Sequence, residues 1–157
     1  MFKIRQLRPN DAPEWFRMRQ ALWPKHTQSA FEKESVVMLE NSQRQPVFVA
    51  ERTTGGLCGL IELSIRGKAV GCSTSNVGYI EGWYVDPNMR SKGVGRSLVK
   101  AAEEWAASMG CSEMASDTTS SYPVSPAAHK ALGYEEVKTV YHYRKLLKQA
   151  GGTVCRI

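Results

Sequence analysis

No apolar stretch in this chain approaches the length of a membrane-crossing helix, and no long apolar run follows the opening Met1-Phe2-Lys3-Ile4-Arg5, so neither a bilayer span nor a cleavable leader is expected. The four cysteines, Cys58, Cys72, Cys111 and Cys155, contain no C-x-x-C pair. That spacing argues against a zinc ribbon or a dithiol redox site; no metal is expected, and free thiols suit a reducing, cytoplasmic compartment. Internal repeats, low-complexity blocks and interdomain linkers are also missing. So is any acidic excess: 21 Lys and Arg face 15 Asp and Glu, a net charge of +6. A basic balance suits an anionic partner, whether nucleic acid, a membrane surface or a phosphorylated small molecule. No nucleic-acid recognition motif is present, and the aromatics sit on apolar faces rather than interleaved with a basic stripe, which disfavours nucleic acid.

What is there reads as one globular unit. The 157 residues are 42% hydrophobic and 23% charged, enough to bury a core without disulfides or metal. A domain is expected over residues 1–148, with a frayed tail over 149–157. Residues 2–7 alternate as a half-buried strand does. Asp11 and Glu14 suggest a capping box for a helix whose Trp15, Met18 and Leu22 share a face and which stops at Trp23-Pro24. A second helix is expected over residues 29–41, then strands over 47–52 and 57–66 turning at Thr54-Gly55-Gly56, and a strand over 79–85. Val94, Leu98, Ala101, Ala102, Trp105 and Met109 form the apolar stripe of the strongest helix, with Gly110 just past its end. A short strand over 113–116, a helix opened by Ser125-Pro126 and ended at Gly133, and a long last strand over 137–146 complete the order β-α-α-β-β-β-α-β-α-β. Such alternation implies an α/β (α+β) fold, a mixed sheet flanked by helices.

The segment Val85-Asp86-Pro87-Asn88-Met89-Arg90-Ser91-Lys92-Gly93-Val94-Gly95 joins a strand to a helix. Glycines permit close backbone approach, the first helical amides are unpaired, and Arg90, Lys92 and Arg96 add positive charge, a combination suited to a pyrophosphate. A Gly-x-Gly alone is weak evidence. No Gly-Lys-Ser/Thr follows, which excludes a Walker A loop, and the third glycine of a dinucleotide fingerprint is missing.

Arg90-x-x-Gly93-x-Gly95, after a strand ending Val-Asp-Pro and before an amphipathic helix, resembles the R/Q-x-x-G-x-G/A motif of the GNAT superfamily of N-acetyltransferases. The order of elements from residue 2 to about 148 is similar too. The resemblance implies a GNAT fold, with a mostly antiparallel mixed sheet splayed at its centre, and acetyl-CoA as co-substrate. It implies that the backbone of Trp83, Tyr84 and Val85 pairs with the pantetheine arm and that amides from Ser91, Lys92, Gly93, Val94, Gly95 and Arg96 hold the pyrophosphate.

On the acceptor side, Leu22-Trp23-Pro24-Lys25-His26, the strand around Glu81, Met114-Ala115-Ser116-Asp117-Thr118, His129-Lys130-Ala131-Leu132-Gly133-Tyr134-Glu135-Glu136 and Tyr143-Arg144-Lys145 resemble small aminoglycoside 6'-N-acetyltransferases. Polycationic sugars call for carboxylates and aromatic faces. Each residue also has a structural reading: Trp23 as core, His26 as a loop histidine, Asp117 as a turn residue, Tyr143 as a strand aromatic. Glu81 is harder to explain this way, because a carboxylate in a central strand needs a partner or a task. The resemblance implies Trp23, His26, Glu81, Asp117 and Glu136 as acceptor-binding residues. It also implies direct attack of the amine on the thioester, with Glu81 or Asp117 as general base, amides near Tyr84 or Val85 as an oxyanion hole, and Tyr143 protonating the thiolate. It further implies a homodimer and a role in antibiotic resistance. The rival acceptors are a protein, a peptide or a polyamine. Related enzymes carry a drug-contacting aromatic after the strand ending Ser64-Ile65-Arg66; here Gly67-Lys68-Ala69-Val70-Gly71 has none.

Overall fold

The computed structural model describes residues 1–148; the expected tail over 149–157, with Cys155, lies outside the described residues. The elements run β1 (Phe2–Gln6), α1 (Ala12–Leu22), α2 (Gln28–Glu40), β2 (Val47–Arg52), β3 (Leu57–Arg66), β4 (Val77–Val85), α3 (Val94–Ser108), β5 (Glu113–Ser116) and α4 (Ser125–Ala131). The strands form one open sheet in sequence order, β1-β2-β3-β4-β5. The first four pair antiparallel, and β5 joins parallel to β4 after the α3 crossover.

Each face of the sheet carries its own core. Trp15, Met18 and Phe31 from α1 and α2 cover Val47, Val49, Leu57 and Leu60. On the other face Val94, Leu98, Val99 and Ala102 of α3 cover Ala50, Cys58, Ile61, Leu63 and Ile80. The α3 stripe thus buries as its spacing predicts, and the helix stops where Gly110 adopts φ +81°. No helix among the described residues is long and apolar enough to cross a membrane.

Two local expectations are corrected. Asp11 stands at the N-cap position of α1, but its side chain makes no cap hydrogen bond. It closes a 3-10 turn, and its carboxylate accepts from Arg5 Nη1 and Nη2 (2.7 and 2.9 Å) and from Arg8 N (2.8 Å), while Glu14 accepts from Arg17. The Arg5 guanidinium, a charged donor, takes the oxygens a cap would need and holds Asp11 below the usual carboxylate range. Val124 rather than Ser125 precedes the first turn of α4, and Ser125 Oγ lies 3.2 Å from His129 Nδ1.

The largest difference is the last strand. Residues 137–146 pair with no strand, and Val137, Val140, Tyr141, Tyr143 and Leu146 are exposed. Its β-branched and aromatic residues give the stretch strand propensity, but the outer edge of β5 offers only four residues to pair with.

Candidate functional site

The β4–β5 ladder runs from Val77↔Glu113 to Ile80↔Ser116 and ends there. From Glu81 to Val85, β4 continues with β3 on one side and, among the described residues, no strand on the other, so a row of backbone groups beyond the end of β5 is left without a strand partner. The sheet is thus open here, though the splay at its centre that the family resemblance implied takes the form of an unpaired end of β4 beside the edge strand. At the same level β4 carries one extra residue: Glu62 pairs with Gly82 and Leu63 with Ile80, leaving Glu81 unopposed. Such a bulge flips the alternation. Ile80, Trp83 and Val85 consequently share the α3 face, although simple alternation would separate Ile80 from the other two.

The donor side lies at the end of β4. A 3-10 turn, Pro87–Met89, leads into the loop of Arg90, Ser91 and Lys92. Arg90 Nε donates to Val85 O at 3.0 Å, folding the loop back onto the strand end. Ser91 (φ 59°) and Gly93 (φ +84°) both adopt left-handed torsions, which turn successive amides inward. A Cβ placed on Gly93 would meet nothing within 4 Å, so backbone and open space adjoin there. The first i to i−4 bond of α3 is Ser97 N to Gly93 O at 3.0 Å, which leaves the amides of Val94, Gly95 and Arg96 ahead of the helical ladder. Lys92 and Arg96 are exposed beside them. This cradle fits a pyrophosphate. Gly95 has a second reason to be glycine: its Cβ would stand 2.9 Å from the Trp83 ring.

The end of β4 is braced from below. Asp86 is 7% exposed and accepts from Arg17 Nη1 (2.9 Å) and Arg52 Nη2 (2.6 Å), tying the strand end to α1 and β2. Burial pushes this carboxyl up, but the two guanidinium groups outweigh it and hold it below the usual range.

The acceptor side is made of side chains. Trp23 packs against Gly82, where a Cβ would meet its ring at 2.6 Å. Arg19 stands beside Trp23, its guanidinium carbon 5.1 Å from the ring centroid, and donates from Nη1 to His26 Nε2 (3.1 Å) and to Glu34 Oε2 (2.8 Å). His26 is thus tied into the α1–α2 corner rather than left in solvent. Beneath it Glu62, 2% exposed, accepts from Trp15 Nε1 (2.6 Å) and Arg19 Nη2 (3.2 Å). Arg19 Nε lies 2.9 Å from Glu62 Oε1 with its N–H aimed elsewhere, an ion pair rather than a hydrogen bond. Burial pushes the Glu62 carboxyl up against the pull of Arg19. Tyr122 Oη donates to Leu22 O at 2.8 Å, joining the loop after β5 to the same corner.

Glu81 does have a structural partner. Arg66 donates from Nε and Nη2 to its two oxygens at 2.9 and 2.7 Å, and Ser64 Oγ donates at 2.5 Å. Asp117, directly after β5, accepts from Tyr79 Oη at 2.7 Å, and the Tyr79 hydroxyl is pushed well above its ordinary range by burial and by that carboxylate. Arg66 in turn stacks on Tyr79, its guanidinium carbon 3.5 Å from the ring centroid. Glu81 and Asp117 are therefore brought together through Tyr79 and Arg66.

Tyr143 and Glu136 are not brought to this group. Tyr143 is 92% exposed on the segment that fails to form a strand, and Glu136, also exposed, accepts from Thr139 Oγ1 of its own segment at 2.6 Å. Arg66, Tyr79, Arg19 and Glu62 escaped sequence reasoning. The bulge that orients Glu81 and the cross-strand pairs around it carry no motif, and only the unexplained carboxylate in a strand signalled that a partner existed.

Comparison with known proteins gives a consistent picture. A model of the acetyltransferase (GNAT) family matches residues 13–134. An aminoglycoside N(6')-acetyltransferase type 1 from Klebsiella aerogenes is 42% identical over 146 residues, 92% of this chain and 96% of the relative. One of the same name from Stenotrophomonas maltophilia is 37% identical, over 92% of this chain and 94% of the relative. The solved structure of AAC(6')-Iy in complex with the bisubstrate analogue CoA-S-monomethyl-acetylneamine superposes with a TM-score of 0.84 at 35% identity, covering 94% of this chain and 99% of that one.

Proposed function

The chain belongs to the acetyltransferase (GNAT) family, and on that footing we propose that it is an acetyl-CoA-dependent aminoglycoside 6'-N-acetyltransferase. It moves the acetyl group of acetyl-CoA to an amine of the sugar. The observation that carries this reading is the unpaired run of β4 beyond the end of β5, which has an anion cradle at one end and a cluster of carboxylates and aromatic rings at the other. The amides of Val94, Gly95 and Arg96, with Lys92 beside them, bind the pyrophosphate. The free backbone edge of Trp83, Tyr84 and Val85 aligns the pantetheine arm and offers N–H groups to the carbonyl oxygen as charge develops there.

The acceptor's ammonium sits against Glu81 and Asp117, with Trp23 and His26 shaping the far wall. Glu81, once free of Arg66, takes the proton from the ammonium, and Asp117 is the nearest alternative. The amine nitrogen then bonds to the thioester carbon, the carbon–sulfur bond breaks, and the thiolate leaves with the electron pair and takes up a proton. The described free thiols are Cys58, Cys72 and Cys111; Cys58 is buried, and burial raises all three above the ordinary thiol range, which favours direct transfer over an acyl-cysteine route. Tyr143 protonates the thiolate only if residues 135–148 pack against the site. Their exposed Val137, Val140, Tyr141, Leu146 and Leu147 support a homodimer in which this segment is covered. The functional unit is residues 1–148, working in the cytoplasm, where free thiols persist, and its biological role is aminoglycoside resistance.

Thiol release from acetyl-CoA, followed with kanamycin, tobramycin and amikacin beside peptides and polyamines, tests this directly. Turnover of an aminoglycoside with kcat/KM above about 10⁴ M⁻¹s⁻¹ is expected, as is a higher inhibitory drug concentration for a susceptible bacterium expressing the chain. Turnover of peptides or polyamines alone would keep the family and discard the acceptor. Glu81→Gln should lower kcat/KM by about 10²-fold, the low end for losing a general base.

A further inference from the structure

Arg66 has no place on the donor side and performs no step of the transfer, yet it stands at the middle of the acceptor side. Its forked guanidinium takes both oxygens of Glu81, at 2.9 and 2.7 Å, and lies 3.5 Å from the centroid of the Tyr79 ring, whose hydroxyl is bound to Asp117. A carboxylate, an aromatic face and a second carboxylate are the groups that would receive a substrate ammonium. In this structure they already hold a cation, and it belongs to the protein. With Ser64 Oγ also donating to Glu81 Oε1, the carboxylate meant to accept a proton is fully engaged.

We propose that Arg66 is a positioning residue that sets the affinity of the acceptor site: a built-in cation on Glu81 that the incoming ammonium must displace. The inference rests on the acceptor reading above. The pair is suited to exchange because its side chains are 42% and 34% exposed, and an ion pair in contact with water is held weakly. Displacement sets the same penalty for every amine. A polycation with several further contacts overcomes it; a lone amine does not. Arg66 thereby sets an affinity threshold common to all amines and keeps the base engaged until an acceptor arrives.

The test is steady-state kinetics of the full chain and its Arg66→Gln and Arg66→Lys variants, with tobramycin and with a 6-amino-6-deoxy monosaccharide as acceptors. Removing the competitor should lower the acceptor KM about five-fold by the same factor for both amines, raise kcat/KM, and leave the KM for acetyl-CoA where it was. Arg66→Lys, with one contact in place of two, should fall between, and it decides the matter if Arg66→Gln does not fold. In a Glu81→Gln background the Arg66→Gln effect on KM should vanish, because nothing is left to compete for. An acceptor KM that rises or stays put, or a loss confined to kcat, makes Arg66 a brace that orients Glu81 and overturns the proposal. So does an effect that persists without Glu81. Failure of the wild-type chain to turn over any aminoglycoside would instead sink the acceptor reading, before Arg66 is altered.

Discussion

The two ends of the opening beside β4 are built from different materials. At the end proposed for the donor the groups on offer are backbone: two left-handed torsions, three helical amides ahead of the ladder, and a strand edge with no neighbour among the described residues. At the acceptor end they are side chains in charged contact, Arg66 with Glu81, Tyr79 with Asp117, and Arg19 with Glu62, His26 and Glu34. Backbone geometry is set within a few residues and tolerates most side chains around it. A charge network is assembled from distant parts of the chain, and each member depends on the others. The donor end can therefore stay constant while the acceptor end is retuned.

Removing Glu62 tests the contrast most severely. Glu62→Ala leaves Arg19 at 5% exposure without its buried partner and Trp15 Nε1 without an acceptor. A loss of about 3–5 kcal/mol is expected in denaturant titration. Because Arg19 also holds His26 and stacks on Trp23, the acceptor KM should rise while the acetyl-CoA KM stays level. Equal damage to both KM values would mean that the two ends are not separable.

Gly93→Val probes the other end. The φ of +84° disfavours a β-branched residue, yet nothing crowds the position, so strain and intrusion into the open space act together. The acetyl-CoA KM should rise by roughly 10- to 100-fold, equivalent to about 1–3 kcal/mol of strain, with the acceptor KM little changed. A variant that binds acetyl-CoA normally would show that side chains, not amides, hold the pyrophosphate.

The mildest test concerns Asp86, where the two ends share a brace. Its carboxyl is lower in the folded chain than the ordinary 3.8, so the unfolded chain binds the proton more readily. The associated stability is present above pH 3.8 and is lost as pH falls through the lower folded value. Asp86→Asn should cost about 2 kcal/mol at neutral pH and shallow the acid limb of the stability profile. An acid limb identical to the wild type would assign acid unfolding to Asp11, Glu51 and Glu113, whose carboxyls are also held low.

The donor end was legible because its signal is local. Gly93 and Gly95 sit at fixed offsets from a strand ending in Val85 and a helix opening at Val94, and the observed element bounds depart from the expected ones by a residue or two. At the acceptor end only the anchors could be read. Trp23, His26, Glu81 and Asp117 were singled out one by one, while Arg66, Tyr79, Arg19 and Glu62, which tie them together, could not be, since each link spans a long stretch of chain: 15 residues from Arg66 to Glu81, 38 from Tyr79 to Asp117 and 43 from Arg19 to Glu62. The last strand was misread for a related reason. The β-branched and aromatic residues of 137–146 show a capacity to pair, but whether a strand docks on an edge is settled by contacts with distant parts of the chain, and in this structure the stretch pairs with none.

By itself, the sequence determined the order of elements from β1 to α4, the buried faces of α1 and α3 and the left-handed turn at Gly93 ahead of α3, because helical and strand periods and left-handed glycines act over one or two turns of chain. Only the tertiary structure decided that Glu81 is the extra residue of a bulge, that Arg66 already occupies its carboxylate, and that Trp23 can rest on β4 because Gly82 has no side chain. Those outcomes depend on register between strands and on which charges meet in space, and neither is encoded at any fixed spacing along the chain.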